Sequence, residues 1–106
     1  MMIFDLLIKN GTIVDANDIY KADIAIKDEK IVEIAAEIDK NTAHDIIDAN
    51  GKYVFPGAID VHTHLDMPFG GTVSSDNFET GTIAAAYGGT TTIIDFAIQS
   101  KGDSLR

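Results

Sequence analysis

Two histidines separated by one residue, His62 and His64, are the residues of this sequence best suited to bind a metal. On a β-strand their side chains would project from the same face, about 6–7 Å apart along the strand axis, so both imidazoles could converge on one ion. Asp60 has the same parity, and we expect it to support the histidines through hydrogen bonds or, at most, to be a weak additional ligand. A His-x-His pair also arises by accident on surface strands, so the spacing alone is weak evidence for a metal site.

The residues around this pair predict two strands joined by a helix. Ala58 to His64 is apolar and predicts a buried strand that carries the histidines at its C-terminal end. A helix over residues 77–87 leads to a second buried strand, Thr90 to Ala97, which is rich in β-branched residues. Two such strands must be parallel, with a right-handed crossover. This is the repeating unit of a β/α barrel or a doubly wound sheet, and barrel enzymes carry their active sites at the C-terminal ends of the strands.

A loop over residues 65–75 separates the first strand from the helix. It contains Gly70 and Gly71 and is long enough to cover a substrate. Asp76 is the expected N-cap of the helix, because Glu79 three residues later would complete a capping box.

The chain before Pro56 has a different pattern, in which short strands alternate with turn signals. The dipeptide Asn10-Gly11 predicts a two-residue hairpin turn. Asp28-Glu29-Lys30 lacks the glycine that a primed turn prefers, and it predicts a three-residue or bulged loop. We expect a meander or a small sandwich. The strand candidates are Asp5–Lys9, Thr12–Asp15, Ala22–Lys27, Ile31–Ala35, His44–Asp48 and Lys52–Phe55.

Composition narrows the class of protein. The formal net charge is −9, from 17 acidic and 8 basic residues, which disfavours binding to nucleic acid or to an anionic membrane surface. There is no cysteine, so any metal must be held by His, Asp or Glu. No signal peptide or membrane span is evident, and a cytoplasmic enzyme is expected. The 106 residues are far fewer than the roughly 250 of a complete (β/α)₈ barrel.

The stretch from Pro56 to Gly71, PGAIDVHTHLDMPFGG, resembles the first metal motif of the cyclic amidohydrolases. Within that superfamily it is most similar to the hydantoinases and dihydropyrimidinases, and the resemblance extends over the whole chain. It implies that residues 1–55 are the N-terminal part of a small β-sandwich. It also implies that residues 56–106 are the first β-α-β unit of an incomplete (β/α)₈ TIM barrel.

Single positions separate the relatives within this superfamily. Dihydroorotases resemble the motif but place an arginine where this sequence has Asp66. Allantoinases tend to differ in the following loop, where residues 67–71 suit hydantoinases better. The non-enzymatic collapsin-response-mediator relatives have lost the metal histidines, whereas His62 and His64 are both present here. The resemblance therefore favours an active enzyme.

For the complete enzyme the resemblance implies a binuclear site, usually of zinc, in which His62 and His64 bind the more buried metal. The other ligands (a carboxylated lysine, two histidines and an aspartate) would come from beyond Arg106, so no catalytic residue is expected within this segment. The implied reaction opens a hydantoin or dihydropyrimidine ring to an N-carbamoyl amino acid. A homo-oligomer, commonly a tetramer, is expected.

The resemblance also places Leu65, Met67 and Phe69 where the family lines the pocket for the substrate's exocyclic group, although packing within the loop explains them equally well. A structural role is expected for Asp66 and Asp95. His44 is isolated, and we interpret it as a surface residue without function.

One alternative to the enzyme remains. It is a non-catalytic, β-rich interaction module in which the histidine pair is incidental. Because two imidazoles are too few for a catalytic zinc site, the 106-residue chain by itself is expected to be inactive, to bind zinc weakly and to fold poorly.

Overall fold

The computed structural model describes residues 1–104, which fall into two compact units, Met1–Pro56 and a second unit that starts at Gly57. The first unit is one five-stranded sheet with the strand order β3-β2-β1-β4, in which β5 also pairs with β1. Strands β2 and β3 are antiparallel to their neighbours, but β4 and β5 run parallel to β1, so the sheet is mixed and is not a meander. Its strands are β1 (Phe4–Val14), β2 (Ile19–Lys27), β3 (Lys30–Ala35), β4 (Ala43–Asp48) and β5 (Tyr53–Val54), with a single 3₁₀ turn at Lys40–Thr42.

Strand β1 passes straight through Asn10-Gly11, so the predicted hairpin turn at this dipeptide is wrong. Asn10 has a φ of 63° and lies in a bulge, where the register with β2 shifts between Ile8 and Gly11. The Asp23 carboxylate opposite accepts the Asn10 N–H at 2.9 Å. Gly11 is required for packing, since a Cβ there would lie 2.6 Å from the Val54 side chain. The left-handed residue that suggested a turn therefore forms a bulge.

The turn between β2 and β3 is also tighter than expected. Asp28 and Glu29 have φ values of 50° and 62°, and Lys27 pairs directly with Lys30. This is a two-residue turn with positive φ at both positions, as in a type I′ turn, and not the three-residue or bulged loop that the missing glycine suggested. The Asp5 carboxylate accepts the Asp28 N–H at 2.7 Å and so supports the unfavourable backbone.

Each face of this sheet contributes to a small apolar core. Leu7 and Ala25 are completely buried in one cluster, and the other cluster contains Ile24. Because alternate residues of a strand point to opposite faces, neighbours on β2 belong to different clusters. The buried members are Leu7, Ala25, Ile38 and Ala43 in the first cluster, and Ile13, Ala22 and Ile24 in the second.

The second unit contains the predicted β-α-β arrangement, with the first and last strands paired in parallel. The prediction of two parallel strands is confirmed, but the prediction that both are buried is wrong for this chain, because no residue of either strand is buried. The intervening loop is more ordered than expected, because it folds into a short hairpin closed by Gly70 and Gly71, both with positive φ. The elements are β6 (Ala58–Thr63), β7 (Pro68–Phe69), β8 (Thr72–Val73), α1 (Phe78–Tyr87) and β9 (Thr90–Asp95).

Helix α1 begins one residue later than predicted. Its N-cap is Asn77, whose side chain accepts the Thr80 N–H at 2.8 Å, while the Thr80 hydroxyl accepts the Asn77 N–H at 3.2 Å. The predicted box of Asp76 and Glu79 is therefore wrong. Asp76 instead accepts a hydrogen bond from the Thr80 hydroxyl at 3.1 Å. Among the described residues, no helix has the length and hydrophobicity needed to cross a membrane.

Candidate metal centre

The two histidines lie at the C-terminal end of β6, where the strand gives way to the loop. His62 is the penultimate residue of the strand and His64 follows its last residue. Their side chains point to the same side, and the two Nε2 atoms are 3.0 Å apart. The structure therefore brings together the pair that the strand parity predicts.

This distance suits two nitrogens bound to a common ion. With metal–nitrogen bonds of about 2.0–2.1 Å, ligand nitrogens lie about 2.9 Å apart at a right angle and about 3.4 Å apart at the tetrahedral angle. The observed 3.0 Å between the His62 and His64 Nε2 atoms falls within that range. Without an ion, the same approach is a hydrogen bond in which one neutral ring donates and the other accepts. The pair consequently fits a divalent metal as two of its ligands.

Within residues 1–104, the structure brings no third side chain of His, Cys, Asp or Glu to this pair as a ligand group. Asp60, the expected support for the rings, accepts the backbone N–H of His62 at 3.1 Å. Its carboxylate thus stabilises the strand backbone that carries the histidine. Catalytic zinc usually has three protein ligands, so the described residues provide part of a site.

Asp95, the last residue of β9, fixes the backbone immediately after His64. Its carboxylate accepts the N–H of Leu65 at 2.8 Å and that of Phe96 at 2.6 Å. Burial raises the pKa of Asp95, but the hydrogen bonds from these two N–H groups and from the Thr63 side chain, together with the charge of the nearby His64, lower it by more. The net pKa lies below the usual value, so the carboxylate is ionised at neutral pH and remains an acceptor.

Phe96 is a residue of this site that the sequence reasoning missed. Its ring centroid lies 4.6 Å from that of His62 and 5.1 Å from that of His64. The two parallel strands end at the same edge of the sheet, so the residue after β9 reaches the residues at the end of β6. The available signal was the aromatic residue at the end of the second predicted strand.

Asp66 has a structural role at the start of the helix. It has a φ of 52°, and its carboxylate accepts the N–H of Phe78, the first residue of α1, at 2.9 Å. Its own N–H donates to the Asp76 carbonyl at 3.0 Å. A carboxylate at this end of a helix is also favoured by the helix dipole. Asp66 therefore fixes the loop to the helix.

An open cavity of about 390 Å³ lies beside the histidine pair. Met67 and Phe69, two of the three predicted substrate-binding residues, line it together with His64. Leu65 does not: its side chain covers Gly81, where a Cβ would lie 2.4 Å from Leu65 Cδ2. The remaining lining residues of the cavity are Thr72, Val73 and Ser74.

The hairpin that supports these residues is closed by hydrogen bonds between Met67 and Ser74. The Met67 N–H donates to the Ser74 hydroxyl at 2.9 Å, and the Ser74 N–H donates to the Met67 carbonyl at 2.8 Å.

His44 lies in the first unit, exposed on β4.

Comparison with known proteins identifies the family. The family model described as "Urease alpha-subunit, N-terminal domain" matches residues 1–54, half of the chain, and the chain belongs to this family. Together with matches to D-hydantoinases, this family model shows that the chain fits the N-terminal segment of the amidohydrolase superfamily.

The individual relatives match nearly the whole chain. A D-hydantoinase of Geobacillus stearothermophilus is 65% identical over 100 residues, which are 94% of this chain and 21% of that protein. Dihydropyrimidinase 2 of Caenorhabditis briggsae is 53% identical over 94% of this chain and 19% of its own length. The crystal structure of a dihydropyrimidinase from Brevibacillus agri superposes with a TM-score of 0.88 at 59% identity, covering 92% of this chain and 21% of that one. The chain thus spans about a fifth of the length of these relatives.

Proposed function

We propose that the complete protein hydrolyses a cyclic amide, opening a hydantoin or dihydropyrimidine ring to an N-carbamoyl amino acid, with His62 and His64 as metal ligands. The observation that carries this proposal is the approach of the two Nε2 atoms to 3.0 Å at the C-terminal end of a strand. Relatives named D-hydantoinase and dihydropyrimidinase, at 65% and 53% identity, supply the reaction class.

Residues of this chain position the two histidine ligands. His62 and His64 bind through neutral Nε2 atoms, which requires the ring protons to reside on Nδ1. Asp60 and Asp95 fix the backbone on the two sides of the pair, through the N–H groups of His62 and of Leu65 respectively. A divalent metal held there, which we propose to be zinc in a binuclear site, would polarise the amide carbonyl and activate water.

We also propose that Met67 and Phe69 contact the substrate's exocyclic group. Both line the cavity that His64 borders, and Phe69 is 76% exposed, leaving its ring available to a ligand. Leu65 would act indirectly, because its packing over Gly81 holds the loop close to the helix. An apolar pocket with few polar groups suits a hydrocarbon or aromatic substituent.

The proposal also covers the domain organisation and assembly of the complete protein. Residues 1–55 would form part of a β-sandwich, and residues 56–106 would start a (β/α)₈ barrel whose later strands supply the remaining metal ligands. The parallel pairing of β6 with β9 around α1 supports the barrel, since this is its repeating unit. We further propose a cytoplasmic homo-tetramer that acts on a small cyclic amide and binds neither nucleic acid nor membrane.

The test is metal analysis and hydrolysis of dihydrouracil and hydantoin by the complete protein, with His62→Ala against His44→Ala as a matched control. We expect His62→Ala to lose bound metal and to reduce kcat/KM by more than about a hundredfold, the upper range for residues that only support a ligand. His44→Ala should retain both properties. A metal-free complete protein that hydrolyses neither compound would instead favour a non-catalytic interaction module.

A further inference from the structure

We propose that Phe96 is a positioning residue, which fixes the planes of the two imidazoles so that both Nε2 atoms face one point. This inference rests on the metal site proposed above. It concerns the orientation of the ligands, because a phenyl ring neither binds a divalent ion nor titrates.

The three rings form a closed cluster. The centroids of His62 and His64 are 4.9 Å apart with nearly perpendicular planes, at 80°. Phe96 completes the triangle, 4.6 Å from His62 at an interplanar angle of 50° and 5.1 Å from His64 at 30°. Rings at these separations are in contact, and aromatic pairs of this kind are favourable beyond the area they bury. Rotation of either imidazole would have to displace the phenyl ring.

Within the described part of the chain, no hydrogen bond from an imidazole Nδ1 provides this restraint. A histidine that binds a metal almost always donates its other ring N–H to a carboxylate, a carbonyl or water. In residues 1–104 the hydrogen bond found for each ring is the one between the two Nε2 atoms, and neither Nδ1 has a protein acceptor. Contact with Phe96 is therefore what restrains the ring planes here.

The phenyl ring is itself held in register with the histidines. One oxygen of Asp95 accepts the Phe96 N–H at 2.6 Å, and the other accepts the Leu65 N–H at 2.8 Å. Thr63, between the two histidines, pairs with Asp95 across the parallel strands. A single carboxylate thus connects the backbone that carries the histidines to the backbone that carries Phe96.

The test measures zinc affinity of the complete protein by competition with a chelator, and the absorption spectrum of the same protein loaded with Co²⁺. We expect Phe96→Ala to weaken zinc binding by about 10–100-fold, as for other residues that orient metal ligands, and to alter the Co²⁺ spectrum. Phe96→Tyr keeps the ring and should restore both properties. A role in stability alone would leave the Co²⁺ spectrum unchanged.

Phe55→Ala, which removes an exposed aromatic ring from the first unit, is the control and should bind Zn²⁺ normally. If Phe96→Ala does not fold, as judged by circular dichroism, Phe96→Leu replaces it with the same expected direction. Unchanged zinc affinity and an unchanged Co²⁺ spectrum in the folded variant would overturn the role of Phe96 alone. If the unmodified protein binds no Zn²⁺ and His62→Ala makes no difference, the metal site itself is wrong.

Discussion

The two units of the chain differ in where their apolar side chains lie. The first unit buries residues on both faces of its sheet, and Leu7, in one of those clusters, is 0% exposed. The second unit, as far as Ser104, has no fully buried residue, and Ile59 and Val61 on β6 are 62% and 64% exposed. The unit with a core carries none of the proposed ligands, whereas the unit with the ligands has no core.

This difference indicates what the histidine pair depends on. Parallel sheets occur almost entirely with both faces covered, so a two-stranded parallel sheet gains little stability from its own contacts. The local hydrogen bonds of Asp60, Asp66 and Asp95 therefore do much of the positioning at the site. In the first unit, the buried clusters and the five paired strands determine the geometry.

The largest expected effect is in amide hydrogen exchange of the 106-residue chain. We expect amides in the middle of β1 and β2 to exchange at least about a hundredfold more slowly than those of β6 and β9, because the buried strands open only on wider unfolding. Mass spectrometry of peptic peptides would measure this. Equal protection of the two sets of strands would show that the second unit is stable despite its exposure.

The next largest effect is expected from a substitution in the core of the first unit. Leu7→Ala is expected to lower the free energy of unfolding of the first unit by about 3 kcal/mol, from lost burial and the cavity left behind. Urea denaturation followed by circular dichroism would measure it. Ile59→Ala, at a 62% exposed position of the second unit, is the matched control and should cost less than about 1 kcal/mol. Similar losses in both variants would contradict the contrast between the units.

A smaller effect is expected from the ion pair at the β1 bulge. Asp23 is only 3% exposed, and its carboxylate accepts hydrogen bonds from the Lys9 ammonium at 2.5 Å and from the Asn10 and Ile38 N–H groups at 2.9 Å. Asp23→Asn should cost about 2 kcal/mol of the first unit's stability, since Lys9 loses its anionic partner. Asp45→Asn, on the exposed part of β4, should have almost no effect in the same urea titration.

The same ion pair predicts the pH dependence. Burial raises the pKa of Asp23, but the hydrogen bonds from Lys9, Asn10 and Ile38, with the charge of Lys9, lower it to a net value below the ordinary 3.8. A lowered pKa in the folded state stabilises the protein above the unfolded-state value, and this stabilisation is lost as the pH falls through the folded pKa. Stability should therefore decrease below about pH 4, and less steeply in Asp23→Asn. Equal slopes in the two proteins would exclude Asp23 as the source.

Much of the second unit could be predicted from the sequence, because its strands are six-residue runs rich in apolar and β-branched residues and its helix is bounded by polar residues and glycines. The errors occurred where a distant residue decides between two local options. Asn10-Gly11 is compatible with a turn or a bulge, and the choice depends on Asp23 and on the close approach of Val54 to Gly11. None of those contacts is visible in the local pattern.

Prediction of the candidate metal site is limited in the same way, by contacts between residues that are distant in sequence. Parity was sufficient to predict that His62 and His64 converge, since it follows from strand geometry alone. The ring contacts of Phe96 depend on how β9 pairs with β6, which the sequence of either strand does not specify. The backbone role of Asp60 depends on its side-chain rotamer, so its expected support of the rings could not be distinguished from support of the strand.

The smallest expected effect tests the helix cap in the unit without a core. Asn77→Ala should destabilise the first turn of α1 by about 1 kcal/mol, because it removes the acceptor of the Thr80 N–H. Asp76→Ala, at the position that the sequence favoured, should cost less, since the Asp76 carboxylate accepts a hydrogen bond from the Thr80 hydroxyl and, within the described residues, none from a helix N–H. Hydrogen exchange of the Thr80 amide measures the two variants directly. Faster exchange is expected in the first turn of α1, because the hydrogen bonds of the cap join residues of that turn. A larger effect of Asp76→Ala would instead make Asp76 the cap.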